Sequence, residues 1–424
     1  MKTFHEAEIP QPILHRLDQM GFITPTPIQA QAIPAALEGR DILGSAQTGT
    51  GKTGAFGIPL IAHLLNSDVG SALVLLPTRE LATQVLQALQ TFTGRSKLGT
   101  ALLIGGDPMF KQCRDLRNNP RILVGTPGRI NDHLERGTLK LSNTNFLVLD
   151  EVDRMLDMGF GIQLDAIAKY LTSKQRQTLM FSATLPTNIK SLASKYLNDP
   201  LRISVGETHK PAANVKQSQI KVADAAKYDQ LLSELEEREG SKIIFVRTKR
   251  SADKIADKLR KDGHKADALH GDLRQHKRTR VISQFKKEAF NVLVATDVAA
   301  RGLDIPHIAH VVNFDLPQRA EDYIHRIGRT ARAGAEGEAI NFISPGERML
   351  WNDIERLLDP SVKRMAGDRK KSGGGGGNSS KRKRSFKPNT GGSGRGKPSA
   401  GARKSAEGYR GRSKPDNNNK RRGK

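Results

Sequence analysis

Residues 146–153 read FLVLDEVD: four apolar side chains without a break, then two carboxylates, a valine and a third carboxylate. A short apolar run that does not alternate with polar residues suits a strand buried on both faces, as in the parallel sheets of α/β domains. The acidic group then falls at the carboxyl end of the strand, where open parallel sheets bind their ligands. An acidic string alone more often just opens a helix, whose positive end it favours. This one gains weight from its place after a buried strand and from a second motif upstream.

That second motif is AQTGTGKT at residues 46–53. It follows the apolar run Asp41–Leu43 and leads into a stretch with helical period, the setting a phosphate-binding loop requires. Backbone amides of Ala46, Gln47, Thr48, Gly49, Thr50 and Gly51 converge on phosphates in such a loop, and the glycines let the main chain approach closely. Lys52 supplies a cation and the Thr53 hydroxyl a ligand for Mg²⁺. Asp150 is placed to hold the same Mg²⁺, directly or through water, and Glu151 to orient and deprotonate an attacking water. The usual pattern begins with Gly, where this chain has Ala46.

Working outward, further apolar runs occur at 72–76, 101–104, 122–124 and 178–181, and a second series at 242–246, 266–269, 292–295, 310–314 and 339–343. Each series alternates with amphipathic stretches, which predicts two α/β domains with parallel sheets. Residues 205–217 are polar, contain Pro211 and have no clear period. The predicted organisation is therefore a first domain over 1–205, a linker over 206–217, a second domain over 218–360 and a tail over 361–424. In the first domain six runs lead straight into clusters of Gly, Pro, Thr, Ser or acidic residues: 44–53, 77–80, 105–106, 125–129, 150–153 and 182–184. All six should line one edge of one sheet.

The 424 residues carry 69 Lys and Arg against 44 Asp and Glu, a formal +25 that favours polyanionic partners, whether nucleic acid or an acidic membrane surface. The last 64 residues hold 21 of those cations, three acidic residues and two aromatics, Phe386 and Tyr409, so +18 of the charge lies in a segment unable to build a core. It is expected to be a disordered, Gly-rich polycation adding salt-sensitive attraction to nucleic acid. Cys113 is the only cysteine, which excludes an intramolecular disulfide and a thiolate metal site. With no apolar run of about 18 residues and no basic-then-apolar leader, the reading is a soluble, cytoplasmic protein that does not engage a membrane.

Taken with Ser182, Ala183 and Thr184, the two nucleotide motifs resemble those of the DEAD-box RNA helicases, with DEVD in place of DEAD. The resemblance spans about residues 4–345 and implies two tandem RecA-like domains, ATP and Mg²⁺ as cofactors, and RNA-stimulated ATP hydrolysis. That hydrolysis would locally unwind short duplexes or remodel RNA–protein complexes through ATP-driven domain closure. Val152 stands where the family has Ala, a change expected to cost only local repacking. Asp153 is implied to couple hydrolysis to closure by bonding Ser182, Thr184 or His325.

Gly21, Phe22, Pro25, Thr26, Pro27, Ile28 and Gln29 look like the family's Q motif, with Phe4 the upstream aromatic. Gln29 offers a donor and an acceptor that match the adenine N6 and N7 edge. Residues 325–332, HRIGRTAR, resemble the motif whose Arg329 and Arg332 reach the γ-phosphate across the cleft, with Ala331 where many members have Gly. Residues 295–305, ATDVAARGLDI, imply that Gly302 and Asp304 approach the ribose and that Thr296 contacts RNA. The remaining RNA residues implied are Pro77, Thr78, Arg79, Gly105, Gly106, Thr126, Arg129, Arg247, Gln275 and Arg278. Hydroxyls, amides and guanidinium groups of this kind suit phosphates and sugars, so RNA should be bound without sequence preference.

The short core and basic Gly-rich tail look like bacterial members of the RhlE-like kind, with a monomeric core serving ribosomal precursors or RNA turnover. Two other readings stay open on these residues. A related two-domain DNA translocase would be stimulated by DNA, and a non-catalytic RNA clamp would release no phosphate.

Overall fold

The computed structural model describes residues 1–362 except 47–48, 95, 97, 184–186, 206–213, 301–304, 306, 332–334 and 360, and except the side chains at 187, 188 and 190. Gln47, Thr48, Thr184, Gly302, Asp304 and Arg332, most of the 206–217 segment and nearly all of the tail lie outside the described residues.

Seven strands form the first sheet: β1 (Ile42–Ala46), β2 (Ser71–Leu75), β3 (Thr100–Leu103), β4 (Ile122–Gly125), β5 (Thr144–Leu149), β6 (Gln177–Ser182) and β7 (Leu201–Val205). They lie in the order β3-β4-β2-β5-β6-β1-β7 and every pairing is parallel. The second sheet holds β8 (Val215–Lys221), β9 (Ser241–Phe245), β10 (Ala266–Leu269), β11 (Val292–Ala295), β12 (Ile308–Asn313) and β13 (Gly337–Ile343). Their order is β10-β11-β9-β12-β13-β8, again parallel throughout.

Strand β5 is sealed on both faces. Phe146, Leu147, Val148 and Leu149 are all fully buried, with Phe146 and Val148 in one core and Leu147 and Leu149 in the other. In β2, Ala72 and Val74 face the first core while Leu73 and Leu75 face the second. At about 1.5 to 3 kcal/mol for each large apolar side chain removed from water, these two layers hold the sheet rigid. In the second sheet Ile244 and Ile243 likewise pack into separate cores.

Two strands depart from the sequence reading, and both are sheet edges. The polar strand β8, VKQSQIK, begins at Val215, inside the segment read as linker, and only Val215 of its seven residues is buried. In β7 only Ile203 is buried. An edge strand with helices covering little of it needs no continuous apolar run, so its sequence lacks that signal. Among the described residues no helix is long and apolar enough to cross a membrane.

Candidate functional site

Strand order sorts the motifs into two groups. Because β5, β6 and β1 are neighbours, the acidic cluster, Ser182–Ala183 and the glycine-rich loop stand side by side at one edge. Strands β3, β4 and β2 fill the other half of the same edge, carrying Gly105–Gly106, Thr126–Arg129 and Pro77–Glu80.

At the first group, the helix Lys52–Leu65 starts directly after Gly51, which has φ +90°. Lys52 is 7% exposed; its Nζ donates to the Ala46 carbonyl at 3.1 Å and lies 3.9 Å from Asp150 Oδ1. Asp150 is buried at the end of β5, and that burial pushes its carboxyl up to about 6, against the pull of Lys52 and with the charges of Glu151 and Asp153 adding to the rise. A buried carboxylate raised by desolvation, with Lys52 the one cation pulling against that rise, fits a hard divalent cation.

Glu151 is 5% exposed, with its backbone in the left-handed region at φ +52°. A non-glycine residue held there costs about 1 to 3 kcal/mol, strain of a kind that collects at functional sites. Its Oε2 accepts from Arg154 Nη1 at 3.1 Å, and its N–H donates to Asp150 Oδ1 at 2.9 Å. Asp153 accepts through Oδ2 from the Ala183 N–H at 3.0 Å, tying the acidic strand to the end of β6. Val152 is fully buried, so the departure from the family sequence is absorbed as core packing.

The Q-motif residues divide. Gln29 is 3% exposed; its Oε1 accepts from the Thr26 N–H at 2.9 Å and its Nε2 donates to the Gly51 carbonyl at 3.0 Å. Each end of an amide has capacity for one more bond, so Gln29 braces the loop and still has an edge to offer a base. Phe4, by contrast, is 1% exposed and packs against Phe22 with ring centroids 6.4 Å apart. The Phe4 ring therefore packs in the core beside Phe22.

From the second domain, the helix Ala320–Ile327 brings His325, Arg326 and Arg329 into a small cavity shared with Arg154 of the first. Arg329 is 3% exposed and its Nε donates to the His325 carbonyl at 3.1 Å. Arg326 is consumed structurally: it pairs with Asp297 through two bonds of 2.5 and 2.7 Å, donates to Asn313 at 2.9 Å and stacks over Phe245. Ala331 has φ +56°, so the side chain where many members have Gly sits in a conformation costing an L residue about 1 to 2 kcal/mol.

A separate cavity of about 410 Å³ is lined by Pro77, Thr78, Arg79, Gly105, Thr126 and Arg129 from one domain and Gln275 and Arg278 from the other. Arg79 Nη1 donates to Gln275 Oε1 at 3.0 Å, and Glu80 accepts from both Gln275 and Arg278. Arg129 Nη1 reaches the Asp107 carbonyl at 3.3 Å. Neither Arg247 nor Thr296 lines this cavity: Arg247 is held by Glu347 at 2.9 Å, and Thr296 is buried at the end of β11. Glu80 and Arg154 were not singled out from sequence, although a charged residue within an apolar helix face, as at Arg154 between Val152 and Met155, is a signal for a buried pair.

Two family models match the chain. One for the DEAD/DEAH box helicases matches residues 26–192, and one for the helicase conserved C-terminal domain matches 226–334. The DEAD-box ATP-dependent RNA helicase CshA of Geobacillus kaustophilus is 44% identical over 369 residues, covering 86% of this chain and 78% of that protein. This chain belongs to the DEAD-box ATP-dependent RNA helicases. The helicase matches S. cerevisiae Dbp5 bound to RNA and ADP BeF3 with a TM-score of 0.76 and 34% identity, over 85% of this chain and 94% of that one. A Dbp5 variant bound to Nup159, a Gle1 variant, IP6 and ADP matches at 0.59 with 31% identity, over 84% and 94%.

Proposed function

We propose a division of labour within this ATP-dependent RNA helicase. Ala46 to Thr53 cradle the phosphates, with Lys52 as the cation that swings from the Ala46 carbonyl to the β- and γ-phosphates. Gln29 reads adenine, and Gly302 and Asp304 approach the ribose. Asp150 and Thr53 would hold Mg²⁺, which supplies charge neutralisation on the phosphates when bound. Glu151 takes the proton of the attacking water, and Arg329 and Arg332 stabilise charge on the transferring phosphoryl group. Asp153, Ser182, Thr184 and His325 carry the state of the nucleotide to the domain seam.

RNA lies along Pro77, Thr78, Arg79, Gly105, Gly106, Thr126, Arg129, Gln275 and Arg278, with Arg247 and Thr296 reached where the strand leaves that cavity. The contacts are to backbone and 2′-hydroxyls, so sequence is not read and RNA is preferred over DNA. Closure bends one strand and strips it from a short duplex, and phosphate release reopens the domains. The observation that carries this reading is that Arg329 of the second domain shares a cavity with Arg154, the residue bonded to Glu151 of the first.

The test is phosphate release with no nucleic acid, with single-stranded RNA and with DNA of the same sequence. RNA is expected to stimulate by at least about tenfold, close to 1.4 kcal/mol of barrier, and DNA by less than about twofold. Equal stimulation by both would favour a DNA translocase, and no release with RNA would favour a clamp.

Gly106 supplies a second check on the RNA path. Its φ is +87°, and a Cβ there would run into Arg79 Nη1. Gly106→Ala is expected to raise the RNA concentration for half-maximal ATPase about tenfold, from about 1 to 2 kcal/mol of backbone strain and a displaced Arg79, with ATP affinity unchanged. Unaltered RNA dependence would remove Gly106 and Arg79 from the path.

The basic tail supports non-specific, salt-sensitive attraction to RNA. It also supports the finer reading as an RhlE-like bacterial member, monomeric in its core and cytoplasmic, working on ribosomal precursors or RNA turnover.

A further inference from the structure

The helix Val152–Asp157, directly after Glu151, touches the second domain at both ends. Near its start Arg154, 1% exposed, bonds Glu151 Oε2 at 3.1 Å and lines the cavity that holds His325, Arg326 and Arg329. Arg154 Nη2 is buried with no hydrogen-bond partner among the described residues. At its far end Asp157 forms an ion pair with Arg319, the residue immediately before the helix Ala320–Ile327. The two short helices therefore meet at two points: Arg319 on Asp157 at one end, and the His325–Arg329 segment beside Arg154 at the other.

A fully buried guanidinium with an unused donor is costly unless its position is set by something more than packing. The Glu151 carboxylate is the group that position serves, since the left-handed backbone at Glu151 fixes where the side chain starts and Arg154 fixes where it ends. Arg154 also bears charge beside Arg326 and Arg329, so its surroundings change when the second domain arrives or leaves.

We propose that this helix makes domain seating and the aim of the attacking base a single event, with Arg154 as a positioning residue for Glu151 and the Asp157–Arg319 pair as the latch that sets the seat. The inference rests on Glu151 acting as the base. When the domains part, the latch opens, the second-domain residues leave the Arg154 cavity, and Glu151 loses the surroundings that hold it in line. The device thereby suppresses hydrolysis in the open form, where no RNA is held.

The experiment uses the full chain and compares Arg154→Gln, Arg154→Lys, Asp157→Arg, Arg319→Asp and the Asp157→Arg/Arg319→Asp swap, each checked for folding by thermal unfolding. RNA-stimulated kcat is expected to fall about 30-fold or more in Arg154→Gln while KM for ATP stays within about threefold, with part of the rate restored in Arg154→Lys, as for a change that spares ATP binding and acts on the chemical step. Each single latch variant should lose about fivefold in kcat and need more RNA for half-maximal rate, and the swap should recover to within about twofold of wild type. Unchanged kcat in Arg154→Gln, an equal rise in KM, or a swap no better than its singles would overturn the proposal. The swap depends only on exposed latch residues, so it decides the latch even where Arg154→Gln does not fold. Glu151→Gln run in parallel separates the two readings: if it hydrolyses normally the base assignment fails, and if it is inactive while Arg154→Gln is not, the positioning role fails.

Discussion

Glu151→Gln is expected to leave ATP and RNA bound while lowering RNA-stimulated phosphate release by about 10²- to 10⁴-fold, the range a positioned general base contributes. The substitution is nearly isosteric, so the left-handed backbone at φ +52° bears no more strain than with Glu. The amide oxygen still accepts from Arg154 Nη1 in place of the carboxylate that now lies 3.1 Å away. What is lost is the base and its charge, with the hydrogen bond to Arg154 kept. Titration with a fluorescent ATP analogue reports binding, and single-turnover phosphate release in saturating RNA reports chemistry. A rate within about tenfold of wild type would move the base elsewhere. Because Arg154 is 1% exposed, removing the charge opposite it also carries a stability cost, which a thermal melt measures separately.

How far these conclusions could be read from the chain alone depended on where each signal is written. Phe146 to Leu149 disclosed their strand because a segment sealed on both faces has to be apolar at every position. Residues 215–221 hid theirs because an edge strand is exposed at most positions, and VKQSQIK is what such exposure permits. The loops at the ends of β1 and β5 were legible through their residue types, since phosphate and metal chemistry admits few alternatives to Gly, Lys, Thr and Asp. Phe4 was ambiguous, because an aromatic in a helical N-terminal segment reads the same whether it serves a ligand or a core, and its burial was not written in the sequence. Pairings across the seam could not be read at all. Arg79 and Gln275 are 196 residues apart, and neither composition nor periodicity says that they meet. The same holds for Asp157 with Arg319 and for Arg154 with the His325–Arg329 segment. Residue types announced the two halves of the site, and only the folded arrangement of the domains joined them.

Arg329→Ala is expected to lower RNA-stimulated kcat by about 10³- to 10⁵-fold, the contribution of a cation brought to a transferring phosphoryl group. Arg329 and Arg326 lie three residues apart and have opposite uses. The Arg326 guanidinium is held from several sides: Asp297 takes two of its bonds, Asn313 and the Asp315 carbonyl one each, and Phe245 covers its face. Removing it leaves Asp297 without its partner, and Arg326→Ala should lose about 3 to 5 kcal/mol of stability, as for a broken buried pair. The bond from Arg329 Nε to the His325 carbonyl at 3.1 Å ties the root of its guanidinium to the end of the helix before it. Arg329→Ala should fail in catalysis, and Arg326→Ala should melt early. Arg329→Lys keeps the charge but loses the planar fork, and is expected to recover only part of the rate. If Arg329→Ala turned over at the wild-type rate in saturating RNA, the second domain would contribute no cation from this position to the reaction. Closure would then act on hydrolysis through Arg332 and the helix that follows Glu151.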